Sequence, residues 1–159
     1  MERVLYQLVE KAVRSAKAFS HRRLFVVCGS RENSLRAATE ICVFSRDFGV
    51  GNEVAYVGSI EGEEVEATKN FLVESLNMDF EVEVFPIPKV REMMGRTFDN
   101  LIIDAHADFP PNEVGICVET VRGPGFVVIA CPPLEEWRNA KLVSHELLLT
   151  PPYPIEEVR

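Results

Sequence analysis

Asp104-Ala105-His106-Ala107-Asp108 sets two carboxylates and an imidazole within five residues, a combination that suits manganese or zinc. A metal held there would activate a bound water for hydrolysis. No aspartate follows Asp108 anywhere in the chain. The same residues also have plain structural uses. Asp104 can cap a strand end by accepting N–H bonds from the loop that follows, and His106 can donate to a carbonyl.

Other candidate chemistry is thinner. Gly29-Ser30-Arg31-Glu32-Asn33-Ser34 follows the first apolar run, where a phosphate loop would sit. It matches neither G-x-G-x-x-G nor G-x-x-x-x-G-K-[ST], so Ser30 reads more simply as a helix N-cap. Cys28, Cys42, Cys117 and Cys131 lie inside apolar stretches and form no C-x-x-C pair. They are expected as buried core residues, with a buried disulfide as the alternative. Glu135 and Glu136 beside Trp137 point apart as sequence neighbours and read as an exposed acidic turn. His21-Arg22-Arg23 is the one local basic cluster and reads as a solvated lead-in to a strand.

The elements that must position these residues follow from periodicity. Val4, Leu5, Leu8, Val9, Ala12, Val13 and Ala16 share one face of a first helix. Leu24–Cys28 is a short apolar run, as for a strand buried on both faces. A helix over Glu32–Asp47 stops at Gly49, and a strand follows at Glu53–Val57. Val65, Thr68, Leu72 and Leu76 mark the next helix. Glu81–Phe85 alternates charge with apolar residues, so it belongs at a sheet edge. A short helix over Lys89–Met94 ends at Gly95, and Asn100–Asp104 is the fourth strand. Pro110-Pro111 opens a helix through Val114, Cys117, Val118 and Val121, and Phe126–Cys131 is the fifth strand.

Alternating strands and helices predict a doubly wound, mostly parallel five-stranded sheet with helices on both faces, Rossmann-like, in the order 3-2-1-4-5. Residues 1–140 form the single domain, and 141–159 read as a proline-containing C-terminal extension or linker. Ligands meet such sheets at the carboxyl ends of strands where the order reverses. That crevice is expected between the first and fourth strands, making Gly29, Ser30, Asp104 and His106 the candidate ligand or partner contacts.

Net charge is −8, and the pI is near 5.0. Such a surface repels phosphates, so any contact with RNA is expected to be indirect. No apolar run is long enough to span a bilayer, and a cytoplasmic location without membrane contact is expected.

Two resemblances bear on function. Asp104–Asp108 is similar to the manganese-binding D-A-H-x-D of the arginase and agmatinase family, which would make Asp104, His106 and Asp108 ligands in a metal-dependent hydrolase. That family is about twice as long and uses a further aspartate pair downstream. The second resemblance is more extensive. Met94-Gly95-Arg96-Thr97-Phe98-Asp99 runs through Asp104-Ala105-His106, Phe109, Pro111 and Asn112 to Thr120-Val121-Arg122-Gly123-Pro124-Gly125 and Pro132-Pro133-Leu134-Glu135-Glu136-Trp137. This stretch resembles the N-terminal domain of the RNA cytidine acetyltransferases, which make N4-acetylcytidine in tRNA and other RNAs. Asp108, Pro110 and Pro124 depart from that family's pattern, which argues against a small-ligand site shared at this loop.

The second resemblance implies a non-catalytic accessory domain. ATP and acetyl-CoA would be handled by a helicase-like ATPase module and an acetyltransferase module of the same polypeptide or complex, with no cofactor in this chain. An apolar patch near Trp137 and Phe109 would be the docking face. A small nucleotide-sensing α/β module is the remaining alternative.

Overall fold

The computed structural model describes residues 2–77 and 79–140; the expected extension at 141–159 lies outside them. In chain order the elements are α1 (Glu2–Phe19), β1 (Arg23–Cys28), α2 (Arg31–Asp47), β2 (Glu53–Gly58), α3 (Glu63–Leu76), β3 (Glu81–Pro86), a 3-10 helix (Ile87–Met93), β4 (Phe98–Asp104), α4 (Pro111–Glu119), β5 (Val121–Cys131) and α5 (Leu134–Asn139). All five strands pair in parallel. The α/β class and its layers are as the periodicity predicts. Val121 is the main boundary change, opening β5 rather than closing α4.

The lateral order is β1-β5-β4-β2-β3, so β1 does not lie between β2 and β4 as expected. It sits at the far edge, beyond β5. Helix length explains how the chain returns. The 17 residues of α2 span roughly 25 Å at about 1.5 Å per residue, whereas three strand spacings cover only about 14 Å. α2 accordingly packs across β1, β5 and β4 on its way to β2. α2 and α3 carry the chain toward the β3 edge on one face, and the 3-10 helix and α4 bring it back on the other. One crossover hand requires that division.

Each face has its own core. Val9, Val13, Leu35, Ile41 and Leu72 from the helices meet Tyr56, Ile102, Phe126 and Val128 on one side. Val90, Met93 and Cys117 meet Val57, Leu101, Ile103, Val127 and Ile129 on the other. Among the described residues β1 is covered on one face only. Phe25 and Val27 pack inward, while Leu24 and Val26 are 60% and 47% exposed. The expectation of burial on both faces fails because α4, nine residues long, lies over β4, β5 and the 3-10 helix.

Asn100 interrupts this apolar interior. It is fully buried in β4, and neither its Nδ2 nor its Oδ1 has a hydrogen-bond partner among the described residues. Leaving a buried polar group unsatisfied costs about 1–3 kcal/mol. Asn100→Val, β-branched and similar in size, is therefore expected to raise unfolding stability by about 1 kcal/mol. Urea denaturation of the two proteins side by side checks this; a less stable valine variant would count against it.

Candidate functional site

In the observed order, the chain turns toward opposite sheet edges after β2 and after β4, so the reversal falls between these two strands. Asp104 still marks it, at the last position of β4, but β4 lies between β5 and β2 rather than beside β1. Tyr56 rises from β2 with its ring fully buried, and its hydroxyl donates to Asp104 Oδ2 at 2.8 Å. Gly58 leaves room for it, since a Cβ there would lie 2.7 Å from the Tyr56 hydroxyl oxygen. Arg31, the first residue of α2, donates from Nε to the same carboxylate oxygen at 2.6 Å.

The other oxygen serves the loop. His106 donates to Oδ1 from its backbone N–H at 3.1 Å, and its Nδ1 lies 2.7 Å from the same atom. Across the end of β5, His106 Nε2 lies 3.2 Å from the Gly29 carbonyl oxygen and 3.4 Å from Ser34 Oγ. Ser30 caps α2 by accepting from the Asn33 N–H. Gly29, Asp104 and His106 thus belong to one network, which Ser30 joins through its carbonyl, accepting from Ser34 Oγ at 2.9 Å, with β1 reached through the loop rather than as a neighbouring strand.

Charge follows geometry. Burial alone would push the Asp104 carboxyl upward, but hydrogen bonds from Arg31, His106 and Tyr56, with the Arg31 charge, hold it below its ordinary value. Burial and the Asp104 charge push the Tyr56 hydroxyl well up, so it remains an O–H donor. A carboxylate offers about four lone-pair positions, and all are engaged here, two on each oxygen. A cation at Asp104 would have to displace a guanidinium already paired with it. Asp108 instead accepts the Phe109 N–H at 2.9 Å. Among the described residues no group of three or more His, Cys, Asp or Glu side chains is arranged to hold a metal ion.

Arg31 and Tyr56 carry half of this network without standing out in the sequence. Their only signals are a charged residue directly after the Ser30 cap and a hydroxyl inside the apolar run of β2. Arg31 also reaches Glu64 at 3.5 Å. The pair flanks a cleft of about 380 Å3 between α2 and α3, floored by Leu35, Thr68 and Phe71.

The remaining candidates have other uses. Arg22 donates to the Val121 carbonyl and pairs with Glu119, and Arg23 donates to Ser15 Oγ at 2.6 Å, so the basic cluster is bound into the fold. Glu135 and Glu136 lie in the first turn of α5. Trp137 and Phe109 meet edge to face at 5.5 Å and pack, partly buried, on the second core. Exposed large apolar residues include Leu134 on the same helix as Trp137, Val4, Leu8 and Phe19 on α1, and Leu24 and Val26 on β1.

The stretch that carries the acetyltransferase resemblance proves structural at the amino ends of the strands. Asp99 accepts the Glu53 N–H at 3.0 Å and pairs with Arg122 at 3.3 Å, fastening the start of β2 to β4 and β5. Gly125 lies against the Asp99 carbonyl, where a Cβ would come within 1.9 Å.

Comparison with known proteins agrees with the acetyltransferase resemblance. The family model described as tRNA(Met) cytidine acetyltransferase TmcA, N-terminal, matches residues 1–159. The tRNA(Met) cytidine acetyltransferase TmcA of Methanopyrus kandleri is 30% identical over 99% of this chain and 20% of its own length. The Pyrococcus furiosus protein of the same name is 30% identical over 98% of this chain and 21% of its own. That of Thermococcus kodakarensis is 38% identical over 67% of this chain and 14% of its own. The chain therefore spans about one fifth of the relatives it matches along its whole length. Along its whole length this chain belongs to the family of the N-terminal domain of tRNA(Met) cytidine acetyltransferase TmcA.

Proposed function

We propose that the chain is a non-catalytic accessory domain of an RNA cytidine N4-acetyltransferase acting on tRNA. The observation that carries this reading is the match of all 159 residues to an N-terminal family domain that is about one fifth of each relative. ATP and acetyl-CoA chemistry then belongs to a helicase-like ATPase module and an acetyltransferase module of the same polypeptide or complex. Gly29, Ser30, Asp104 and His106 serve here to hold the carboxyl end of the sheet in a fixed shape for those neighbours. The saturated Asp104 carboxylate supports a structural role, because a group with four donors has no open position for a substrate.

The net charge of −8 favours indirect over direct contact with RNA phosphates. No helix of the described residues is long and apolar enough to cross a membrane, which accords with work on tRNA in the cytoplasm. The test compares the full-length polypeptide with a version lacking residues 1–140. Acetylation of tRNA cytidine is expected to fall, while the remainder keeps acetyl-CoA binding and ATP hydrolysis. Unchanged acetylation after the deletion would overturn the accessory role. Acetyl transfer or ATP hydrolysis by this domain alone would overturn its non-catalytic character.

A further inference from the structure

Among the residues not used by the Asp104 network, two thiols stand together. Cys28 ends β1 and Cys131 ends β5, and the register of the parallel pair sets them side by side. Their sulfurs are 3.4 Å apart, with the Cys131 thiol donating to Cys28 Sγ, and neither is in a disulfide. The two differ in access. Cys28 is exposed, lying on the uncovered face of β1 with Leu24 and Val26, whereas Cys131 is buried. Cys42 and Cys117 are also buried, each on its own helix.

We propose that Cys28 and Cys131 form a dithiol site for thiol–disulfide exchange, with Cys28 as the attacking thiol and Cys131 as the resolving one. The partner is a small disulfide, RSSR. Cys28, as its thiolate, attacks one sulfur of RSSR; the S–S bond breaks and RS⁻ leaves, taking up the proton lost from Cys28. The Cys131 sulfur then displaces the second RS⁻ from the mixed disulfide, and its own proton goes to that leaving group. The products are the Cys28–Cys131 disulfide and two RSH, so two thiols are oxidised as one disulfide is reduced.

The order of attack follows from exposure. A buried thiol cannot meet a disulfide in solvent, and thiolate formation there is disfavoured. Burial, followed by the neighbouring Cys28, pushes Cys131 up to about 12. Once Cys28 carries the adduct, a sulfur already in contact needs only a side-chain rotation to resolve it. Neighbouring strands lie about 4.8 Å apart, inside the 4.4–6.8 Å range of Cα separations that a disulfide usually bridges.

Position gives the bond a consequence. The Gly29 N–H donates to the Cys131 carbonyl at 3.0 Å, and the Gly29 carbonyl faces His106. A Cys28–Cys131 bond would tie the edge strand β1 to β5 directly beneath the Gly29–His106 contact.

The test incubates the folded protein with oxidised glutathione, blocks remaining thiols with an alkylating agent, and maps tryptic peptides by mass. Cys28 falls in Leu24–Arg31 and Cys131 in Gly123–Arg138, so their cross-link is read directly. The expected product is that single cross-link, two hydrogens lighter than the reduced pair and reversed by dithiothreitol, with Cys42 and Cys117 alkylated only after unfolding. Cys131→Ser should stop at a stable glutathione adduct on Cys28. Cys28→Ser, at an exposed position that tolerates the change, should leave Cys131 unmodified in the folded state. Persistence of the Cys28 adduct in the unsubstituted protein would overturn the proposal. So would scrambling among all four cysteines, or absence of any reaction at Cys28.

Discussion

Asp104→Asn is expected to lower unfolding stability by about 2–3 kcal/mol at neutral pH, because it turns a saturated acceptor into a mixed donor and acceptor. One end of the amide must face either the Arg31 and Tyr56 donors or the two N–H groups of His106. Arg31 keeps Glu64 and is 42% exposed, so solvent screens part of the loss, whereas the Tyr56 hydroxyl is buried and has no such relief. The effect also depends on pH. The folded carboxyl lies below its ordinary value of 3.8. Its stabilisation is therefore fully present above about pH 4 and is lost as pH falls through the lower folded value. The gap between the urea midpoints of the wild type and Asp104→Asn should accordingly be smaller at pH 3 than at pH 7. Manganese should leave the wild-type midpoint unchanged, since a ligand stabilises only what it binds. Equal stability at pH 7, or a manganese-dependent rise abolished by Asp104→Asn, would restore the metal reading.

How much of this was legible depends on the range over which each feature is encoded. The first helix, the wet β3 strand and the apolar β4 strand are local patterns, and their periods read directly. Lateral order is not local. The run Leu24–Cys28 has the same apolar character whether or not both its faces are covered, and only the reach of α2 and the shortness of α4 leave β1 at an edge. The site divides in the same way. Asp104 and His106 stand two residues apart in a visible motif, while Arg31 and Tyr56 join them from 73 and 48 residues away. Nothing near either residue announces the carboxylate it will meet. The acetyltransferase resemblance was legible because its residues fasten the fold: Asp99, Arg122 and Gly125 meet at the amino ends of β2, β4 and β5.

That clasp supports a sharp contrast between two glycines. Gly125→Ala is expected to be strongly destabilising, by about 3 kcal/mol or more, because its Cβ overlaps backbone that cannot rotate away. The new carbon would lie 1.9 Å from the Asp99 carbonyl oxygen and 2.7 Å from that of Arg122. Relief requires β5 to move off β4, next to the register irregularity between Phe98 and Asn100. The same movement draws Arg122 from Asp99, and so loosens the carboxylate that receives the Glu53 N–H at the start of β2. For a domain of this size 1 kcal/mol corresponds to roughly 2–4 °C, so the melting temperature should fall by about 6–12 °C. Gly115→Ala supplies the opposite sign. Gly115 lies within α4, nothing lies within 4 Å of its added Cβ, and alanine in a helix gains about 0.5–1 kcal/mol over glycine. Thermal melts of the two variants beside the wild type should therefore bracket it. If Gly125→Ala melts with the wild type, the strand ends are not held by this contact, and the family pattern at Arg122–Gly125 needs a cause other than packing.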